Sequence, residues 1–197
     1  IYKIRFENGG HTVQPCTRVG DCEDSGTIVE FKPDGTIFKE TTIFKYETIR
    51  NRIRQMAFLN KGVRIIVSDL REENPEYHIS ETFHYKGGIK EYVQYLNSSK
   101  TAMSEDVIYG EGKLDDVYVE VAFQHNDSFT ENVYSFVNNI NTPDGGTHLT
   151  GFRTAVTDTF NAYARKNKLL KETEDNLSGE DIREGLTAII SIKIGEP

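Results

Sequence analysis

The sequence predicts an α+β fold, on three observations. Apolar residues recur at helical spacing over long stretches, strictly alternating segments stand apart from them, and no internal repeat or low-complexity tract orders the two kinds into one regular unit. The 197 residues suffice for one ordinary domain or two small ones, and for a core that needs no disulfide or metal staple. The composition is that of a globular chain, with 37% hydrophobic and 27% charged residues. It has no apolar tract of the ~18 residues that a membrane span requires, so we read it as soluble.

The elements follow in order. IYKIRF (1–6) alternates like a strand and carries charge where a signal peptide needs an apolar run; the chain does not begin with Met, and we expect a piece of something longer. The segment NGGHTVQPCTRVGDCEDSG is full of turn residues and predicts a long surface loop, after which TIVEFK (27–32) predicts a second strand ending at a Pro-Asp-Gly turn. Tyr46, Ile49, Ile53, Met56 and Leu59 predict an amphipathic helix with Gly62 as its left-handed cap. VRIIVSD (63–69) predicts a buried strand, and the charged, proline-broken stretch LREENPEYHISE predicts a domain boundary.

Gly87-Gly88 opens a short helix whose Ile89, Val93 and Leu96 share one face. VYVEVAFQ (117–124) places Val117, Val119, Val121 and Phe123 on one side, and NVYSFVNN (132–139) predicts its antiparallel partner across a turn at residues 125–128. Leu149, Phe152, Val156, Phe160 and Tyr163 predict a long helix, Ser178 to Asp181 spell a capping box for a shorter one, and LTAIISIKI (186–194) predicts a strand buried on both faces.

Charge limits the functions open to the chain. With 23 basic and 31 acidic residues the net charge is −8, which repels nucleic acid unless the basic residues gather on one face. Cys16 and Cys22 have no metal-ligand or CxxC spacing, and read as loop thiols of a reduced compartment. The five histidines lack HxxxH or HExxH spacing, no serine lies in a GxSxG context, and the acidic runs at 115–116 and 172–175 lack calcium-loop spacing and read as solvated loops. No self-sufficient catalytic constellation or metal site is visible. NTPDGGTHLTGFRTA (141–155) is a glycine-hinged entry into a helix. It is open to two readings, an anion site at a helix N-terminus, or a helix start in which Gly145 and Gly146 supply backbone freedom and Thr147 the cap.

Three stretches resemble one family: GTIVEFKPDGTIF (26–38), FHYKGGIKEYVQYLN (83–97), and NTPDGGTHLTGFRTAVTDTFNAYARKNKLLK with LSGEDIREGLTAIISIK (141–193). In sequence, order and spacing they are similar to the B subunits of bacterial DNA gyrase, with the E subunit of topoisomerase IV as close paralogue. The resemblance implies residues 1–80 as the C-terminal part of a GHKL ATP-binding domain. It implies residues 81–197 as a ribosomal-protein-like α/β transducer domain, ending before the family's Gln-Thr-Lys loop. It implies an ATP-hydrolysing type IIA DNA topoisomerase that couples ATP to clamp closure and strand passage during negative supercoiling. By itself this piece is expected to be inactive, since the catalytic glutamate, magnesium-binding asparagine, adenine-reading aspartate and glycine-rich lid all precede it. ATP and Mg2+ are the implied cofactors. The implied partners are a gyrase A subunit, double-stranded DNA and a second copy of the B-type chain, in a chromosome-associated cytoplasmic setting.

Residue by residue, Thr27 matches the threonine that supports the adenine-binding aspartate, and Val29 matches a residue of the adenine pocket. Arg153 matches an arginine facing the DNA passage, with Arg165, Lys166 and Lys168 as further DNA-facing candidates. Asp158 stands where the family often has arginine. The competing readings are a non-catalytic DNA-binding module and a decatenating topoisomerase IV component.

Overall fold

A computed structural model describes residues 1–196. The chain divides into two compact units, Ile1–Lys45 and Tyr46–Pro197.

The first unit is a hairpin followed by irregular chain. β1 (Tyr2–Glu7) pairs antiparallel with β2 (His11–Arg18) across Asn8, Gly9 and Gly10, all three at positive φ. β2 lies in what the sequence predicts as loop. Its Pro15 falls at a register shift, where two residues oppose one and a missing N–H costs no ladder bond. The strand expected at 27–32 is unpaired irregular chain, because alternation makes a strand only where a partner completes the ladder. Asp34 organises the turn that follows, its carboxylate accepting from the Thr36 N–H and hydroxyl at 2.8 Å each. Those two bonds hold the Asp34 pKa below the ordinary value.

The second unit opens with α1 (Tyr46–Leu59), packed on the hairpin of β3 (Arg64–Asp69) and β4 (Ile79–His84) and on α2 (Ile89–Leu96). β3 and β4 pair without a break from Arg64↔His84 to Asp69↔Ile79, so the proline-broken stretch is the loop of one hairpin, and position 80/81 lies inside β4. β3 alternates in exposure, with Ile66 58% exposed, so it is half-buried, because a two-stranded sheet is covered by α1 on one side only. Gly62 takes the left-handed conformation, but its N–H bonds to the Tyr85 carbonyl; the helix end is closed by Asn60, whose amide donates to the Met56 carbonyl at 2.7 Å.

The remaining strands form one sheet, ordered β5-β6-β9-β7-β8: β5 (Ile108–Leu114), β6 (Val117–His125), β7 (Asn132–Val137), β8 (Ile140–Asn141) and β9 (Leu186–Lys193). Asp115 and Asp116 make the two-residue turn between β5 and β6, with Asp115 at positive φ. β6 and β7 are not neighbours, contrary to expectation. β9 inserts between them, antiparallel to β6 and parallel to β7, because its apolar residues are buried on both faces only at the sheet centre.

α1 and α2 cover one face of this sheet. Phe58, Leu59, Ile89, Tyr92 and Val93 close a core over Ala122, Phe136 and Ile189, with the Phe58 ring stacked between Tyr85 and Tyr92. The other face carries α3 (Thr147–Lys166), whose Phe152 meets Phe123 edge-on at 5.9 Å and whose Val156 is buried. The expected stripe of α3 holds only in its first half. Tyr163 is 63% exposed, and the later buried positions are Asn161 and Ala164. α4 (Gly179–Arg183) starts with the expected capping box, Ser178 Oγ accepting from Asp181 N–H and the Asp181 carboxylate from Ser178 N–H.

Candidate functional site

The entry to α3 is a closed local network. Gly145 and Gly146 have φ of 80° and 151°, and a β-carbon on Gly146 would stand 2.9 Å from the His148 ring. His148 therefore folds back over the turn only because residue 146 is glycine. Its Nε2 lies 3.1 Å from Thr142 Oγ1, which is bonded in turn to the Ser135 hydroxyl at 2.7 Å and the Ser135 carbonyl at 3.0 Å. The first turn of α3 is thus tied to β7 through side chains. Gly146 holds the N-cap position and no side chain caps the helix, so the expected cap at Thr147 is corrected: the helix is fixed by His148, one residue later. The solvent side of α3 is a shallow depression lined by Thr147, Thr150, Gly151, Thr154, Ala155 and Asp158, whose one charge is negative and disfavours an anion there.

Arg153 points away from that depression. Its Nε donates to Glu131 at 2.8 Å, and the other carboxylate oxygen of Glu131 accepts from Arg183 Nε at 3.3 Å. Glu131, immediately before β7, thereby joins α3 to α4. Arg165 is engaged with the chain that follows α3, donating to Asn176 and to the carbonyls of Lys171 and Glu174. Beside it, buried Asn161 pairs with the backbone N–H and C=O of Leu177, at 2.8 and 3.0 Å. Lys166 and Lys168 are exposed, with Lys168 at positive φ just past the helix end. The four basic candidates therefore do not form one face. Arg153 stands twelve positions, or about 18 Å at ~1.5 Å per residue, from Arg165 along α3.

Thr27 and Val29 lie in the first unit, both exposed and Val29 78% so. Of the histidines, His78, His84, His125 and His148 are hydrogen-bonded to backbone or hydroxyl partners. Among the described residues no three His, Cys, Asp or Glu gather as metal ligands, and no helix is long and apolar enough to cross a membrane. Cys16 and Cys22 are exposed free thiols.

Two polar clusters escape the sequence reading. On α1, Arg50 and Arg54 share a face and flank Glu81 of β4, while the Arg54 guanidinium lies over Phe83 and Tyr95 at 5.1 and 5.3 Å from the ring centres. The Arg50 hydrogen bond pulls the Glu81 pKa down, against partial desolvation. The signal was the i, i+4 arginine spacing in RNRIR. On the adjacent strands β5 and β6, the Tyr109 hydroxyl lies 2.6 Å from Glu111 and 2.9 Å from Glu120, and Tyr118 donates to Glu111 at 2.8 Å. Here the signal was a Tyr-x-Glu spacing occurring once on each strand, at residues 109–111 and 118–120. Burial foremost, then both carboxylates, push the Tyr109 phenol up, whereas for Tyr118 the Glu111 hydrogen bond leads and takes it to about 12.

Comparison with known proteins places this architecture. A family model described as DNA gyrase B matches residues 88–197. The gyrase B protein of Halalkalibacterium halodurans is 54% identical over 179 residues, which are 91% of this chain and 28% of the relative. That of Streptococcus pneumoniae is 50% identical over 197 residues, 99% of this chain and 30% of the relative. The chain thus spans under a third of the length of these relatives. Among solved structures, the 43K ATPase domain of Thermus thermophilus gyrase B in complex with an aminocoumarin superimposes with a TM-score of 0.79 at 32% identity, over 100% of this chain and 52% of that one. The gyrase B protein from Myxococcus xanthus gives 0.79 at 22% identity, over 98% of this chain and 53% of that one, a likeness of fold. With more than half of its residues matched by the family model and its fold shared from end to end with a gyrase B ATPase domain, the chain belongs to the DNA gyrase B family.

Proposed function

We propose that the chain is part of the ATPase and transducer region of an ATP-dependent type IIA DNA topoisomerase of gyrase B type. It couples ATP binding and hydrolysis to clamp closure and DNA strand passage during negative supercoiling. The observation that carries the reading is the likeness of the whole chain, at 32% identity, to about half of a gyrase B ATPase domain. In this reading residues 1–80 belong to the ATP-binding domain and residues 81–197 to the transducer, for which the family match over 88–197 is the support. The topoisomerase IV ATP-binding domain of Francisella tularensis shares the fold, with a TM-score of 0.74 at 24% identity, so fold alone does not separate the two enzymes.

Of the nucleotide site the chain supplies Thr27 and Val29. Two residues apart and both exposed, one with a hydroxyl and one apolar, they suit one wall of an adenine pocket. When bound, ATP would supply the free energy of hydrolysis, with its phosphates and Mg2+ held largely by residues other than those of this chain. The residues here hold and transmit. The Ser135–Thr142–His148 network and the Glu131 ion pairs fasten α3 to the central sheet and α4, so that movement of the sheet carries the helix with it. Arg153, Arg165, Lys166 and Lys168 are the basic residues that would meet phosphates without reading sequence. The partners are a gyrase A subunit, duplex DNA and a second copy of the B-type chain, in the cytoplasm at the chromosome.

The test is supercoiling. The full-length protein, combined with its A-type partner, should convert relaxed plasmid to the negatively supercoiled form when ATP is present. Decatenation without supercoiling would move the assignment to topoisomerase IV, and a measurable ATPase rate from the 197-residue chain by itself would overturn it.

A further inference from the structure

We propose that Glu131 is an internal stand-in for a DNA phosphate, masking Arg153 until duplex DNA displaces it. The inference rests on the reading of Arg153 as a DNA-facing residue and adds its regulation. One carboxylate is shared by two guanidinium groups, so the cluster carries a net single positive charge. Each arginine donates to Glu131 through Nε alone, at 2.8 and 3.3 Å, and the Nη groups of both have no hydrogen-bond partner among the described residues. A guanidinium satisfied by a carboxylate ordinarily presents a two-pronged edge, so neither arginine is saturated here.

The three side chains differ in access in the order an exchange needs. Arg153 is 42% exposed, Glu131 26% and Arg183 16%, which leaves Arg153 as the member that an incoming phosphate reaches. Glu131 lies outside any strand, at the end of a loop whose Phe129 is 87% exposed, so its carboxylate can withdraw without breaking a ladder bond. Arg183 then retains the displaced carboxylate. This arrangement lets a chain of net charge −8 carry a phosphate-binding arginine that is held by a carboxylate whenever DNA is absent.

Duplex binding by the full-length protein, without its A-type partner, tests this by fluorescence anisotropy of a labelled 20-base-pair duplex over a salt series. Glu131→Gln should tighten binding about 3- to 10-fold at low salt, the range expected for releasing a partly exposed ion pair. It should also steepen the salt dependence by roughly one phosphate contact, and Arg153→Ala in the same background should abolish the gain. If Arg153→Ala weakens binding but Glu131→Gln does not strengthen it, Arg153 meets DNA unmasked and the inference falls alone. If neither substitution changes affinity, the DNA-facing reading of Arg153 falls with it. Should thermal melting show that Glu131→Gln does not fold, Arg183→Gln gives the opposite sign: it leaves the whole carboxylate on Arg153 and should weaken binding, and unchanged affinity overturns the masking.

Discussion

At the scale of single residues, Gly185 shows how a side chain's absence can be structural. It takes φ of +70° between α4 and β9, its carbonyl accepts from the Asn126 N–H at 2.9 Å, and a β-carbon there would run into the Asn126 carbonyl and stand 2.7 Å from that of Ser128. Both obstacles are backbone and cannot rotate away. Gly62 has a similar φ of +81° but open space around it. Gly185→Ala should therefore cost on the order of 3 kcal/mol, combining strain and clash, while Gly62→Ala should cost about 1 kcal/mol from the backbone angle alone. Urea unfolding of the two variants measures both, and equal losses would show that the contacts of Gly185 do not matter. Asn161 illustrates the reverse case, a polar group needed in the interior. Its amide satisfies both backbone groups of Leu177, so Asn161→Ala should cost about 1 to 3 kcal/mol by leaving them unpaired.

Among the elements, the β5–β6 hairpin has a pH window set by its tyrosines and glutamates. For Tyr118 the folded pKa, at about 12, lies above the ordinary 10.0, chiefly through the Glu111 hydrogen bond. The stabilisation is therefore fully present below pH 10 and is lost as pH rises through about 12. Glu111 shifts the other way, held below its ordinary 4.5 by bonds from Tyr109 and Tyr118, so its contribution is present above pH 4.5 and fades as pH falls through the lowered value. Phenolate absorbance during alkaline titration should show Tyr118 ionising late, and Glu111→Gln should return it toward 10. An unchanged titration in that variant would remove Glu111 as the cause.

The same strands show why some elements were legible in the sequence and others were not. α2 and β9 were readable because period and burial agree in both: Ile89 and Val93 face the core, and every residue from Leu186 to Ile192 is buried. β6 misleads, since the most buried face is not Val117, Val119, Val121 and Phe123 but the side carrying Glu120, Ala122 and Gln124, with buried Asn126 just past the strand's end. Gln124 and Asn126 are paired with Asn97, and Asn126 and Asn97 both bond Thr187, so they are satisfied without water. In a single sequence a satisfied buried amide looks the same as a solvated one. Arg153 could be picked out because it lies in a stretch that matches the family, whereas Glu131 could not, because its pairing depends on how β7, α3 and α4 meet across 22 and 52 residues of chain.

At the scale of the whole molecule, the two units differ in what holds them. No residue of Ile1–Lys45 is buried, and Ile28, Val29 and Phe31 are 97%, 78% and 69% exposed. Tyr46–Pro197, by contrast, contains the core and all of its fully buried side chains. Local opening free energy follows buried contacts and backbone pairing, so it should differ sharply along the chain. Residues 19–45 have few backbone partners beyond the turn at Asp34, whereas each face of β9 is packed and both its edges are paired. Hydrogen exchange of the 197-residue chain, followed by mass spectrometry, should find amides at 19–32 labelled almost at once and those of β6 and β9 among the last to exchange. Peptides from 19–32 protected as well as β9 would mean that this stretch finds partners of its own in solution, and that the strand expected at 27–32 forms within this chain.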